Sequence, residues 1–278
     1  VHSQIDVSDL QVPPELKKDL KNAALVVAPN EVRVLVGLYY DIQEHRLRTQ
    51  SQVRAAGADE KPHATIQQVA GYFHDLERAI PPALGRFAAS RAEGVWLQEV
   101  YGIGPVLSAG MISGLRTGPL PEVPTKWYKF CGLAPGQRRT KGKKLDFDPF
   151  LKTLCWKLGD SFVKLHNKPA CFYGKLYERR KAYEAAKNAA GDYADQARAI
   201  LAGKNVKDAK LKAFLEAGRL SDGHIDNRAR RWAVKMLLSH FHYVCYKVER
   251  GIAPPLPFAI AHGGHADWIA PPHPELIP

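Results

Sequence analysis

Two groups of cationic side chains carry the chemistry most easily read from this chain. Between Lys126 and Lys144 stand seven basic residues, Lys126, Lys129, Arg138, Arg139, Lys141, Lys143 and Lys144, and no acidic one. Trp127, Tyr128 and Phe130 interleave with the first of them. The second group, Arg228, Arg230, Arg231 and Lys235, opens a late helical segment. Basic side chains neutralise phosphates and release counterions, and aromatic rings stack on exposed bases. For Trp127 and Phe130, packing in the core is the expected role. Ahead of both groups, Gly102-Ile103-Gly104-Pro105 has the form of a helix-hairpin-helix turn. Such a turn presents backbone N–H groups at a helix start, where phosphate oxygens bind without regard to base. Gly102 and Gly104 therefore join the basic residues as expected nucleic-acid contacts. An ordinary tight connection between helices, and a solvated basic loop, are the plainer readings.

Other groups offer weaker chemistry. Paired carboxylates can hold Mg²⁺ for phosphoryl transfer, and Asp146, Asp148 and Asp160 invite that thought. Asp148 stands before Pro149 at an expected helix start, so N-capping is the simpler reading. Histidines gather late, at His224, His240 and His242, with His262 and His265 at H-x-x-H spacing. Imidazoles bind zinc, but hydrogen bonds or phosphate contacts from a folded-back tail are expected instead. Met111 and Met236 read as core residues. Cys131, Cys155, Cys171 and Cys245 lie far apart without a C-x-x-C pair, the pattern of buried, reduced thiols. No metal is assigned to any of these groups.

The 40 Lys+Arg against 28 Asp+Glu leave a net charge of +12, which calls for a polyanionic partner. No apolar run approaches the ~18 residues that span a bilayer, and the first residues lack a secretory layout. The expected setting is cytoplasmic, with nucleic acid rather than a membrane as partner.

These residues need helices to position them. Residues 31–56 follow a helical period through Val32, Leu35, Val36, Tyr39, Ile42, Leu47 and Val53, with Asn30 as N-cap and Gly57 as stop. A second helix is expected over 64–79, closed by Pro81-Pro82, and a third over 83–100. The first pair reads as a coiled-coil-like helical hairpin, an arm spanning 30–95 and a surface for homo-oligomers. Helices are expected over 149–166, over 170–201 as one or two, and over 226–249 with Trp232 and Met236 facing inward. The polar stretch 203–223 reads as a mobile insertion. The tail from Gly251 is rich in proline and should run extended. The expected fold is all-α: an N-terminal extension over 1–29, the arm, a helix-hairpin-helix domain over 96–250, and the tail.

Taken in order, the blocks GIGPVLSAGMI, WYKFCGLAPGQRR, LKTLCWKLGDSFVK, FYGKLYERRK and HIDNRARRWAVKMLLSH resemble the C-terminal domain of DEDD-type insertion-sequence transposases. The likeness is nearer to standalone proteins of that type, and runs from about residue 30 to the tail. Complete transposases of the family recombine DNA, in several cases with a structured RNA. They use a ribonuclease-H-like domain with acidic metal ligands, and a serine shortly after G-L-A-P. Here the chain before Glu31 is too short for that domain, and Thr140 holds the serine position, followed by Lys141. The resemblance implies a transposase-like protein that grips duplex or structured DNA or RNA. Two alternatives stand beside it. One is an active recombinase, with Thr140 as nucleophile or a partner's carboxylates and Mg²⁺; the other is an oligomeric packing component. Outside the recombinase reading no cofactor is expected.

Overall fold

The computed structural model describes residues 18, 19, 22, 27–56, 64–137, 140–203, 205–256 and 268–278. Among these the protein is all-α, with ten helices and no strand. No described helix is long and apolar enough to cross a membrane. The chain divides into two compact units, one of Val1–Glu99 with Ile103–Leu120, the other of Val100–Gly102 with Pro121–Pro278.

In the first unit, α1 (Pro29–Ala56) and α2 (Ala64–Ala89) pack on each other, and both pack on α4 (Pro105–Leu115). The short α3 (Ala92–Glu99) joins α2 to α4. Instead of a free-standing hairpin, α1 and α2 thus share a core with α4, in which Val36, Leu84, Phe87, Trp96, Leu97, Met111 and Ile112 are buried. Three boundaries differ from those expected. Helix α1 starts at Pro29 rather than after Asn30, because Glu31 turns back to accept a hydrogen bond from the Ala28 N–H at 2.8 Å. That carboxylate makes the reverse half of a capping box, satisfying the N–H of the residue before the helix and adding negative charge to its first turn. Pro81 and Pro82 do not close α2, which continues to Ala89. Ala83, Leu84, Phe87 and Ala88 beyond them are all buried, and their packing outweighs the hydrogen bonds that the prolines remove. The segment expected as one helix over 83–100 is therefore split between α2 and α3. The expected stop at Gly57 lies outside the described residues.

The second unit is organised around α10 (Asp222–Arg250), which packs against α5 (Thr125–Phe130), α6 (Pro149–Lys164) and α7 (Phe172–Ala189). Asp148 caps α6, accepting from the Phe150 N–H at 2.9 Å and the Leu151 N–H at 3.3 Å. The stretch expected as a mobile insertion is folded. Helices α8 (Ala194–Gly203) and α9 (Ala209–Glu216) pack together, and Ala197, Leu215, Leu220 and Ile225 form a small core. Tyr193, Ile200, Leu201, Val206 and Leu211 pack against these four, and because several of the nine lie outside 203–223, that stretch alone reads as polar. In the tail, Trp268 lies against Tyr243, and the Ile269 carbonyl accepts from His240 Nε2 at 2.9 Å.

Candidate nucleic-acid interface

The site lies wholly in the second unit and begins with the loop after α5. Gln137 closes that loop. Its Oε1 accepts from the Ala134 N–H at 3.1 Å, and its Nε2 donates to the Lys129 carbonyl at 3.0 Å and to Asp146 at 3.2 Å. The G-L-A-P-G-Q segment is thereby a preformed wall. Opposite it runs the cationic face of α10, and α6, α7 and α8 complete a cavity of about 830 Å³. Its walls include Lys152, Arg180, Arg228, Arg230, Arg231 and Lys235 against one carboxylate, Glu184. Two tryptophans, Trp156 and Trp232, also line it.

These cations divide by their partners. Glu184 is almost fully buried and receives Arg228 Nε at 2.7 Å, Arg180 Nη2 at 2.6 Å and the Tyr193 hydroxyl at 2.5 Å. Burial pushes its carboxyl up, but the hydrogen bonds from Tyr193, Arg228 and Arg180 more than offset this and hold it below the usual carboxylate range. Arg228 also lies 4.3 Å over the Tyr193 ring. Arg230 pairs with Asp226 at 3.2 Å and approaches Asp160 at 4.0 Å. Its aliphatic stem presses on α6 at Gly159, where an added Cβ would meet the Arg230 Cγ at 2.5 Å. Arg228 and Arg230 are thus pillars of the wall, with their charge largely answered.

Arg231 is exposed and donates to the Asn227 carbonyl one turn back at 3.2 Å. Lys235 lies 5.6 Å over the Tyr128 ring. Burial, and then the neighbouring Arg231 charge, lower its pKa below the ordinary lysine value. No described carboxylate forms an ion pair with Arg231 or Lys235. With the exposed Lys152 of α6, which lies 4.2 Å over the Phe147 ring and has no ion-pair partner among the described residues, these two side chains are the cations most available to an anion entering the cavity.

Other expected contacts fall elsewhere. Lys126, Lys129, Lys141, Lys143 and Lys144 are exposed around the same loop but do not line the cavity. Arg138 and Arg139 lie outside the described residues. Gly102 has φ of +99°, and its carbonyl accepts from the Ser161 hydroxyl at 2.7 Å. An added Cβ there would meet Leu165 at 3.1 Å, so the turn itself demands glycine. Gly104 is the exposed N-cap of α4, with no side-chain cap beneath it. That leaves the first N–H groups of α4 without a capping side chain.

The carboxylates and histidines fill structural posts. Asp146 ties down the loop through Gln137, Asp148 caps α6, and Asp160 pairs with Lys164 at 2.7 Å. Among the described residues no three metal-ligating side chains cluster. His240 and His242 are buried and hydrogen-bonded, the latter to the Pro121 carbonyl at 2.6 Å; His262 and His265 lie outside the described residues. Thr140 is exposed on the loop, and among the described residues no histidine or carboxylate is hydrogen-bonded to its hydroxyl. All four thiols are buried and unpaired in disulfides.

Sequence reasoning passed over Lys152, Trp156 and Arg180. Trp156 counts as one more apolar residue in a helical run, yet it is 56% exposed. A helical projection separates it, because Leu151, Leu154, Cys155, Leu158 and Phe162 form the buried stripe of α6 and position 156 lies off that stripe. Phe130, expected in the core, is 44% exposed, whereas Trp127 is buried against Phe241. Trp232 and Met236 are half-buried rather than inward-facing.

Comparison with models of protein families, with curated proteins and with solved structures gives no match to this chain.

Proposed function

We propose that the protein is a transposase-like nucleic-acid-binding protein. It grips DNA or RNA mainly through phosphate contacts, within a recombination or RNA–protein assembly. The observation that carries this reading is the cavity between the G-L-A-P-G-Q loop and α10, whose walls hold six cations and one carboxylate. The lining cations come from three helices, Lys152 from α6, Arg180 from α7 and Arg228, Arg230, Arg231 and Lys235 from α10, while among the described residues the first basic block contributes only its uncharged G-L-A-P-G-Q segment. The exposed lysines at positions 126, 129, 141, 143 and 144 extend the positive surface on the loop side. The order of the blocks, with its likeness to insertion-sequence transposases, supports the same class of ligand.

The test is binding of labelled duplex and single-stranded DNA and RNA over a range of salt concentrations. Affinity should fall steeply with salt, and Arg231→Ala and Lys235→Ala should each weaken binding across sequences and reduce the log–log salt slope by about one. Affinity indifferent to salt, or slopes unchanged in both variants, would sink the proposal.

A further inference from the structure

We infer that the cavity beside α10 receives an unpaired nucleotide, its base stacked on Trp156 and its phosphate held by Arg231 and Lys235. This rests on the nucleic-acid reading above and narrows it to strands whose bases are free of a duplex. The first reason is shape. A duplex presents a broad ridge with its bases turned inward, and a surface that reads it enters a groove roughly 12 Å wide as a projecting helix. Here α10 instead forms one wall of a hollow. At about 830 Å³ the hollow falls within the roughly 300–1,000 Å³ range of pockets that enclose small ligands.

The second reason is Trp156. Its indole is 56% exposed although it lines the cavity. The nearest charge over its ring is the Arg230 guanidinium, 6.0 Å from the centroid. On the facing helix, Arg180 lies 5.3 Å over the Trp232 ring. An arginine thus stands near each ring, and what sets Trp156 apart is its exposure beside the half-buried Trp232. An exposed indole in a cationic wall has little to gain from a bare phosphate or sulfate. It suits a ligand that joins an aromatic face to an anion, which is the composition of a nucleotide.

The third reason is the division of the cations. Arg228, Arg180 and Arg230 are held by Glu184, Asp226 and Asp160, and so fix the wall. Arg231 and Lys235 lie one turn apart on α10, the spacing at which two side chains reach one backbone phosphate or two successive ones. The exposed ring and these two cations belong to different helices, α6 and α10, facing one cavity.

The experiment measures affinity at one fixed salt concentration for three probes. These are a single strand of about ten nucleotides in DNA and RNA forms, the fully paired duplex of the same sequence, and an inorganic polyphosphate of matching charge. The single strand should bind best and quench tryptophan fluorescence. Trp156→Ala should weaken single-strand binding by about fivefold to a hundredfold, leave duplex and polyphosphate binding unchanged, and abolish most of the quenching. Trp156→Phe should restore most of the affinity, which separates stacking from any effect on folding. Equal binding of all three probes, with Trp156→Ala indistinguishable from the parent, overturns this inference while salt-dependent binding keeps the broader one. Loss of salt dependence for every probe removes both.

Discussion

At the scale of single residues, Glu184 governs the electrostatics of the site. Among the described residues it is the only carboxylate in the cavity walls, and it answers two arginines and a tyrosine at once. Replacing it by glutamine keeps the shape and leaves Arg180 and Arg228 without a counter-charge. Glu184→Gln should therefore lower stability by about 1–3 kcal/mol, seen as a lower urea midpoint, while anion binding tightens as the cavity gains net charge. An unchanged midpoint would mean that the arginines find solvent as readily as they find Glu184. Little of this was legible in the sequence, where Glu184 is one acid in a mixed-charge helix. Its partners Arg228 and Tyr193 come from other segments, and only tertiary packing brings them together. Asp148 is the opposite case: an aspartate before a proline at a helix start specifies its own role locally.

At the scale of elements, the crossing of α6 and α10 sets the cavity. Gly159 permits it, since an added Cβ would lie 2.5 Å from the Arg230 Cγ and 3.3 Å from Val234. Gly159→Ala should cost about 1–3 kcal/mol by overpacking and push α10 outward. Nucleic-acid affinity should fall along with the thermal midpoint. A variant of parental stability and affinity would show that Arg230 swings clear without moving its helix. Most helices were legible because their apolar periodicity is strong and local. The failures have nonlocal causes. Pro81 and Pro82 are overridden by the buried residues beyond them, and the core that holds α8 with α9 draws on residues from outside both, such as Tyr193 and Ile225 of α10. Helix starts chosen from residue type alone also missed Glu31, which caps from inside the first turn of α1.

For the molecule as a whole, the all-α class follows from composition and periodicity, but the grouping of helices does not. The break between units falls beside the Gly102 turn and again after Leu120, within the proline-rich stretch Gly118-Pro119-Leu120-Pro121-Glu122-Val123-Pro124. The global stability of the second unit should also report on His240. Both ring nitrogens are engaged, Nδ1 with the Tyr173 hydroxyl and Nε2 with the Ile269 carbonyl, each at 2.9 Å. Burial pulls its pKa down to about 4, against a smaller upward pull from the Ile269 carbonyl. The unfolded chain, with an ordinary value near 6.5, then takes up this proton more readily than the folded one. Stability should be full above about pH 6.5 and decline as pH falls towards about 4, by at most about 3 kcal/mol. Urea unfolding across that window measures it, and His240→Asn should flatten the slope. A parental slope in that variant would place the titration elsewhere.

The nearness of Arg231 to Lys235 has a thermodynamic consequence. After burial, the Arg231 charge one turn back disfavours the charge of Lys235. An anion bound between the two, as in the proposed function, would offset that repulsion and so couple binding to folding. Occupancy at a hundred times the dissociation constant adds about 2.7 kcal/mol to the folded state.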